Sequence, residues 1–106
     1  METENKKEIS SNFPVICRAS VKWFATKMEE KLADNDHKGG WADCETGFLF
    51  RKLEEELQEL YLALHNRERG SFFGTTHTDE EIVGECADIA NFVMMIADKF
   101  GAGHGR

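Results

Sequence analysis

Two pairs of acidic residues, each spaced three positions apart, are the part of this chain best suited to chemistry. Glu56 and Glu59 form one pair, and Glu85 and Asp88 form the other. Side chains three apart on a helix share a face, so each pair points two carboxylates in one direction. If the two faces meet, four carboxylates repel one another unless a cation binds among them. Because the set contains oxygen ligands and no histidine or thiolate, it predicts Mg²⁺, with Mn²⁺ as the alternative.

The second acidic pair lies on a helix that the sequence predicts over residues 79–98. Thr78 and Glu81 have the spacing of a capping box, and Gly101 provides a stop. On a helical wheel of about 100° per residue, both acids of this pair project from the apolar side. A carboxylate on that side must be paired, protonated or bound to a metal, because a bare buried charge is too costly.

The first acidic pair lies on a helix predicted over residues 43–66, with Asp43 as its cap. Glu56 borders the apolar stripe of this helix, and Glu59 lies one step further round on the same flank. A connection over residues 66–77 leads to the last helix, and a loop of this length predicts antiparallel packing of the two helices. The predicted apolar stripe consists of Leu49, Leu53, Leu57, Leu60 and Leu64.

An amphipathic helix of about 18 residues is predicted near the N-terminus, with Pro14 in its first turn. With one proline in the chain and almost no alternating β pattern, the sequence predicts an all-α fold: an antiparallel bundle of three to four helices in a single domain over residues 1–106. The polar ends, residues 1–12 and 101–106, are expected to be flexible. The stripe of the first helix consists of Cys17, Val21, Phe24, Met28 and Leu32.

More apolar surface is present than one such bundle can bury. The last helix is apolar almost all round, and Leu62 lies opposite the stripe of the second helix. The sequence therefore predicts a homodimer or homotetramer.

A loop over residues 35–41 contains two glycines followed by Trp41. The glycines allow a close approach of the backbone, and the indole offers a flat surface on which a base can stack. The alternative is a loop whose tryptophan plugs the core, and from the residues alone this second interpretation is favoured.

Composition restricts the partners of the chain. The formal net charge of −7 argues against a non-specific nucleic-acid binder, which needs a basic face. The longest apolar run is about a dozen residues, too short for a membrane span. Three cysteines without CxxC spacing and a polar N-terminus are typical of a cytoplasmic protein with reduced thiols.

A cation among these carboxylates favours one class of reaction. Magnesium held by carboxylates binds substrate phosphates, and a spare carboxylate is available as a general base. The pattern therefore predicts hydrolysis of a phosphoanhydride, with Glu56 or Glu59 orienting the attacking water. The chain has no glycine-rich P-loop, so it is not predicted to be a P-loop NTPase.

The residues 55–59, EELQE, followed by 85–88, ECAD, resemble the EExxE and ExxD signature of the MazG-like, all-α nucleoside triphosphate pyrophosphohydrolases. The blocks over residues 35–41 and 87–98 are similar to a phage and bacterial branch of dATP/dGTP diphosphohydrolases. The resemblance covers roughly residues 22 to 100.

This resemblance implies a dimer or tetramer with active sites near the subunit contacts. It also implies Mg²⁺ held by both acidic pairs and release of pyrophosphate from a nucleoside triphosphate, with dATP or dGTP as the expected substrate. Pyrimidine substrates such as dUTP or dCTP are the first alternative, and a non-enzymatic helical oligomer or regulatory module is the second. Glu55 matches the motif, although the helical wheel turns it away from Glu56.

Six further residues are candidates for substrate contacts. By the same resemblance, Asn91 is expected near the sugar or a metal-bound water, and Trp41 and Asn35 near the base. Their charge makes Lys38, Lys52 and Lys99 candidates for contacts to phosphate oxygens.

Overall fold

A computed structural model describes residues 16–69 and 77–101, and these two ranges contain three α-helices. Within those two ranges there is no β-strand, so the predicted all-α fold is confirmed. The helices are α1 (Ala19–Asp34), α2 (Thr46–Arg69) and α3 (Asp79–Phe100), and a short 3₁₀ turn occupies Asp36–Lys38.

The start of α3 was predicted correctly from its capping box. The Thr78 hydroxyl accepts a hydrogen bond from the Glu81 backbone N–H at 3.1 Å, and the Thr78 N–H donates to Glu81 Oε1 at 2.9 Å. The helix ends at Phe100, two residues beyond the prediction, and the Gly101 N–H bonds the Ala97 carbonyl. The register of α3, and therefore of its acidic pair, follows from this local signal.

The predicted start of α1 was wrong. The helix begins at Ala19, and Arg18 before it has extended backbone with φ −67° and ψ 157°. Pro14 lies outside the described residues, as do most of the connection before α3 and most of the ends predicted to be flexible. The apolar repeat of α1 extends toward the N-terminus beyond the first helical residue, so the repeat alone placed the start of the helix too early.

Asp43 does not cap α2, which begins at Thr46 and continues to Arg69. The segment before it makes a turn, closed by a hydrogen bond from the Cys44 N–H to the Trp41 carbonyl. The first helical hydrogen bond runs from the Leu49 N–H to the Glu45 carbonyl. Asp43 therefore belongs to the turn, and the helix starts one turn later than predicted.

Helix α3 packs against both α1 and α2 and is the centre of the fold. Near the end of α2, Arg67 donates to Asp79 at the start of α3 at 2.8 Å. At the other end, Leu49 near the start of α2 and Met95 in the last third of α3 line the same cavity. These two observations require α2 and α3 to run antiparallel, as the length of the connection between them predicted.

The face of α2 that packs on α3 differs from the predicted leucine stripe. Leu49, Leu53 and Ala63 are buried, whereas Leu57 and Leu64 are exposed. The positions of α2 that face α3 form a seam, in which the spacing alternates between four and three residues. The seam consists of positions 49, 53, 56, 60 and 63. Among the described helices, α2 packs against α3 with the flank that carries Glu56, and Glu56 lies on the seam itself.

A second apolar face of α2 is exposed. Phe50, Leu57, Tyr61 and Leu64 repeat with helical spacing, and each exposes more than two fifths of its surface. Helix α1 has no fully buried residue, and Val21 in its predicted stripe is half exposed. None of the helices in residues 16–69 and 77–101 combines the length and apolar character that a membrane crossing requires.

Candidate active site

Three of the four predicted carboxylates converge where α2 crosses α3. Glu56, Glu59 and Glu85 each offer an oxygen, and these oxygens lie within 4.8 Å of one another. Glu56 comes from the seam and Glu59 from the next turn of the same flank, while Glu85 faces them from α3. This acidic cluster, as we call Glu56, Glu59 and Glu85, places three acceptor groups around one point.

Burial and the repulsion of neighbouring carboxylates raise the pKa of Glu56 from 4.5 to about 7. Burial is the largest cause, followed by the charges of Glu59, Asp88 and Glu85, and the Lys31 ammonium acts in the opposite direction. The protein therefore holds these groups together at a cost in the absence of a cation.

Glu85 shows the same imbalance. Burial is the largest cause that raises its pKa, and the charges of Glu59 and Asp88 raise it further. The nearby His77 lowers it. Its Oε1 atom is buried with no hydrogen-bond partner among the described residues. A buried acceptor without a donor, beside two further carboxylates, fits a divalent cation with oxygen ligands.

Asp88, the fourth predicted ligand, is engaged by a residue that the sequence prediction missed. The Lys31 ammonium of α1 lies 3.6 Å from Asp88 Oδ2. Burial raises the pKa of Asp88, and Lys31 lowers it. Lys31 follows Met28 by three residues and so borders the apolar stripe of α1, which was the available signal. The Lys31 side chain passes over Gly84, where an added Cβ would lie 3.5 Å from its Cε.

A cavity of about 700 Å³ extends from the acidic cluster toward the loop before α2. Most of the predicted substrate-binding residues line it together with Glu56 and Asp88. These predicted residues are Asn35, Lys38, Trp41, Lys52 and Asn91. Lys99 does not belong to its lining, and its ammonium donates to the Ala42 carbonyl at 3.1 Å.

Asn91 presents an acceptor at this cavity. The residue is 4 % exposed, and its Nδ2 donates to the Met28 carbonyl of α1 at 3.1 Å. Its Oδ1 is buried and makes no hydrogen bond to any described residue. The contact to Met28 holds the amide in place and leaves Oδ1 as a buried acceptor in the cavity wall.

Trp41 combines features of both interpretations of the loop. It is partly buried and its Nε1 donates to Asp98 Oδ2 at 2.9 Å, yet it also lines the cavity. Asp98 was missed as an anchor because the predicted helix ended there. Asp98 follows Asn91 by seven residues and therefore lies on the same face of α3, which was the available signal.

Lys52 and Glu55 are neighbours on α2 and interact with each other at 3.5 Å. The Lys52 ammonium also lies 5.8 Å from the ring centroid of Phe48. Glu55 is exposed and is turned away from the acidic cluster, as the helical wheel predicted.

Along α2 the cavity residues follow a chemical order. Phe48, Lys52 and Glu56 are spaced four apart, so an aromatic ring, a cation and a carboxylate succeed one another over about 12 Å. On the antiparallel α3, Asp88 lies beside the acids of α2, and Asn91 lies one turn further toward the aromatic rings. The cavity thus passes from acids through basic and amide groups to aromatic rings.

Residues 21–103 match the family described as phosphoribosyl-ATP pyrophosphohydrolase. The chain belongs to this family. The phosphoribosyl-ATP pyrophosphohydrolase family is part of the MazG-like all-α superfamily, and the predicted enzyme class is therefore confirmed. Its members typically depend on a divalent metal. No curated protein and no solved structure matches the chain.

Proposed function

We propose that the protein hydrolyses nucleoside triphosphates, preferentially dATP or dGTP, to the monophosphate and pyrophosphate. The observation that carries this proposal is the order of groups in one cavity. Glu56 and Asp88 line it beside the acidic cluster, and Trp41 and Phe48 line it at the other end of the same seam. A triphosphate and a base need these two environments at opposite ends of one pocket.

In this proposal Glu56, Glu59 and Glu85 would hold a divalent cation, and Asp88, which now lies beside Lys31, would be the fourth ligand. The bound ion, Mg²⁺ by preference, supplies positive charge that draws the phosphate oxygens and offsets charge on the leaving group. The close carboxylate oxygens support this assignment, as does Glu85 Oε1, which has no hydrogen-bond partner in the part of the chain that the structure describes.

The chain itself supplies the base and the phosphate contacts. The Glu56 carboxylate is the candidate general base, because it belongs to the acidic cluster and also lines the cavity. It takes the proton of the water that attacks the α-phosphorus, with Glu59 orienting that water. Lys31, Lys38 and Lys52 line the cavity and are placed to contact phosphate oxygens.

The nucleoside would occupy the remainder of the cavity. Asn91 Oδ1 accepts a hydrogen bond from a sugar hydroxyl, and Asn35 lies at the base end. Trp41 and Phe48 provide aromatic surface for the base. Two rings favour a purine because its larger surface gains more from stacking.

We further propose that the active protein is a homodimer or homotetramer. The exposed face of α2 formed by Phe50, Leu57, Tyr61 and Leu64 supports this, because such a repeat is normally covered by a partner. A second copy of the chain is the simplest occupant. Sedimentation of the purified protein at micromolar concentration tests it, and a monomer would reject it.

A substrate panel tests the proposed reaction. Pyrophosphate release is measured with Mg²⁺ for dATP, dGTP, dUTP and dCTP, and for phosphoribosyl-ATP, which the family name suggests. We expect the two purine deoxynucleotides to give the highest kcat/KM and EDTA to abolish release. Higher kcat/KM for a pyrimidine or for phosphoribosyl-ATP would reject the preference for dATP or dGTP, and no release from any of the five would reject the proposed function.

A further inference from the structure

Two consecutive residues at the end of α3 hold the loop that forms one wall of the cavity. Asp98 accepts a hydrogen bond from the Trp41 indole at 2.9 Å, and Lys99 donates to the Ala42 carbonyl at 3.1 Å. Each contact joins positions separated by 57 residues. The family signature of paired acids does not account for either contact.

The contact between Trp41 and Asp98 determines the orientation of the indole. Nε1 is the single polar donor of a tryptophan side chain, and here it bonds a carboxylate, which makes the bond charge-assisted. Asp98 is 8 % exposed, so its position is itself fixed by packing. With one edge of the ring held against α3, the ring is presented to the cavity that Trp41 lines.

The backbone of the loop supports this placement. Gly39 has φ +85° and ψ −178°, a conformation that side chains disfavour, and it precedes Trp41 by two residues. The position of Trp41 is therefore fixed by the glycine turn before it and by the end of α3 beside it.

We propose that Asp98 is a positioning residue for nucleotide binding, because its carboxylate holds the Trp41 ring in the orientation that stacks on the base. This inference rests on the proposed function, since it assigns the base to the Trp41 end of the cavity. It predicts that loss of the Asp98 contact weakens binding of the base and leaves the acidic cluster intact.

The experiment compares Asp98→Ala with Asp98→Asn, because the amide oxygen of asparagine still accepts a hydrogen bond from Nε1. We expect Asp98→Ala to raise the KM for Mg²⁺–dATP about tenfold, the equivalent of about 1.4 kcal/mol, with little change in kcat. Asp98→Asn should restore the KM to within about threefold of the wild type. The inhibition constant of Mg²⁺–pyrophosphate, which has no base, should stay unchanged in both.

Trp41 can also be observed directly. The chain has two tryptophans, and Trp23 is half exposed, so Trp23→Phe leaves Trp41 as the single emitter. In this background, Asp98→Ala should shift the emission to longer wavelength and reduce the quenching by an α,β-methylene analogue of dATP. Asp43→Ala is the matched control, because it removes an exposed aspartate from the same loop, and it should change neither signal.

Several outcomes would overturn the inference. These are an unchanged KM in Asp98→Ala, an equal loss of affinity for dATP and pyrophosphate, or a failure of Asp98→Asn to restore binding. If the wild type releases no pyrophosphate but the analogue quenches Trp41 in an Asp98-dependent way, the positioning role stands and the proposed reaction falls. If neither release nor quenching occurs, both fall.

Discussion

The polar groups at the two ends of the cavity differ in how they are paired. In the acidic cluster, Glu56 and Glu85 have raised pKa values and face further carboxylates. At the loop, the indole of Trp41 and the ammonium of Lys99 each have an acceptor within 3.1 Å. In the first arrangement acceptor groups face one another, whereas in the second each donor has an acceptor within the chain. The first end therefore suits the proposed cation, and the second end holds the ring that we propose stacks on the base.

The largest expected effect comes from removing one charge of the acidic cluster. Glu59→Gln should lower kcat/KM for pyrophosphate release by at least about 100-fold, because a cation ligand is lost. The same change should raise the melting temperature in EDTA at pH 7.5, since it relieves repulsion. Glu54→Gln on the same helix is exposed and serves as the control for both measurements.

Opposite changes in activity and metal-free stability are the mark of a binding cluster. If Glu59→Gln lowered both together, the acids would be structural, and the contrast between the two ends would disappear.

The pH dependence of stability sharpens the same contrast. The pKa of Glu56 is about 7 in the folded protein and 4.5 without its environment, so between these values the folded state binds more protons than the unfolded state. The free energy of unfolding in EDTA should therefore fall as pH rises from about 5 to about 7. Glu85 and Asp88 shift in the same direction and add to the fall.

Magnesium should reverse this trend, because a cation binds the deprotonated carboxylates of the folded state. Thermal melts at several pH values, with EDTA and with Mg²⁺, measure both effects. A melting temperature that rises with pH in EDTA would contradict the burial and repulsion assigned to Glu56.

At the loop end, the test is conformational. Gly39→Ala should cost about 1–3 kcal/mol of stability, because φ +85° with extended ψ is almost restricted to glycine. Gly40→Ala is the matched control, since Gly40 lacks a positive φ and an added Cβ there meets no atom within 4 Å. Urea unfolding of the two variants gives the comparison, and equal stability would show that the turn is not strained.

The smallest effect concerns Lys31, which links the acids to α1. Lys31→Met removes a cation 3.6 Å from Asp88, so the metal-free protein should lose about 1 kcal/mol at pH 7.5. Its affinity for Mg²⁺ should rise, because the competing ammonium is gone. Lys27→Met removes the partner of Glu30 on the same helix and should change neither quantity appreciably. Calorimetric titration with Mg²⁺ measures the affinity, and weaker binding in Lys31→Met would contradict competition.

The sequence predicted those features that depend on local spacing. The capping box of Thr78 and Glu81 set the register of α3, and the spacing of three placed Glu56 and Glu59 on one flank. Helical periodicity alone was enough for these positions. The leucine stripe was wrong at Leu57 and Leu64, because a sequence pattern does not say which of two apolar faces meets the neighbouring helix.

Contacts between distant segments were not predictable in this way. The approach of Lys31 to Asp88 depends on how α1 lies across α3, and no local pattern encodes that distance. The Trp41 anchor at Asp98 likewise spans 57 residues. Trp41 had two open interpretations, and the structure shows a ring that is anchored at one edge and still lines the cavity.

The long separation between the loop and the end of α3 has a kinetic consequence. Chain closure over 57 residues becomes favourable only after α2 and α3 have paired, so this wall should be among the last parts to assemble. Because few hydrogen bonds hold this wall to the end of α3, the wall should detach before the helices separate. A nucleotide could then enter and leave by a local opening of the wall while the three-helix framework stays folded.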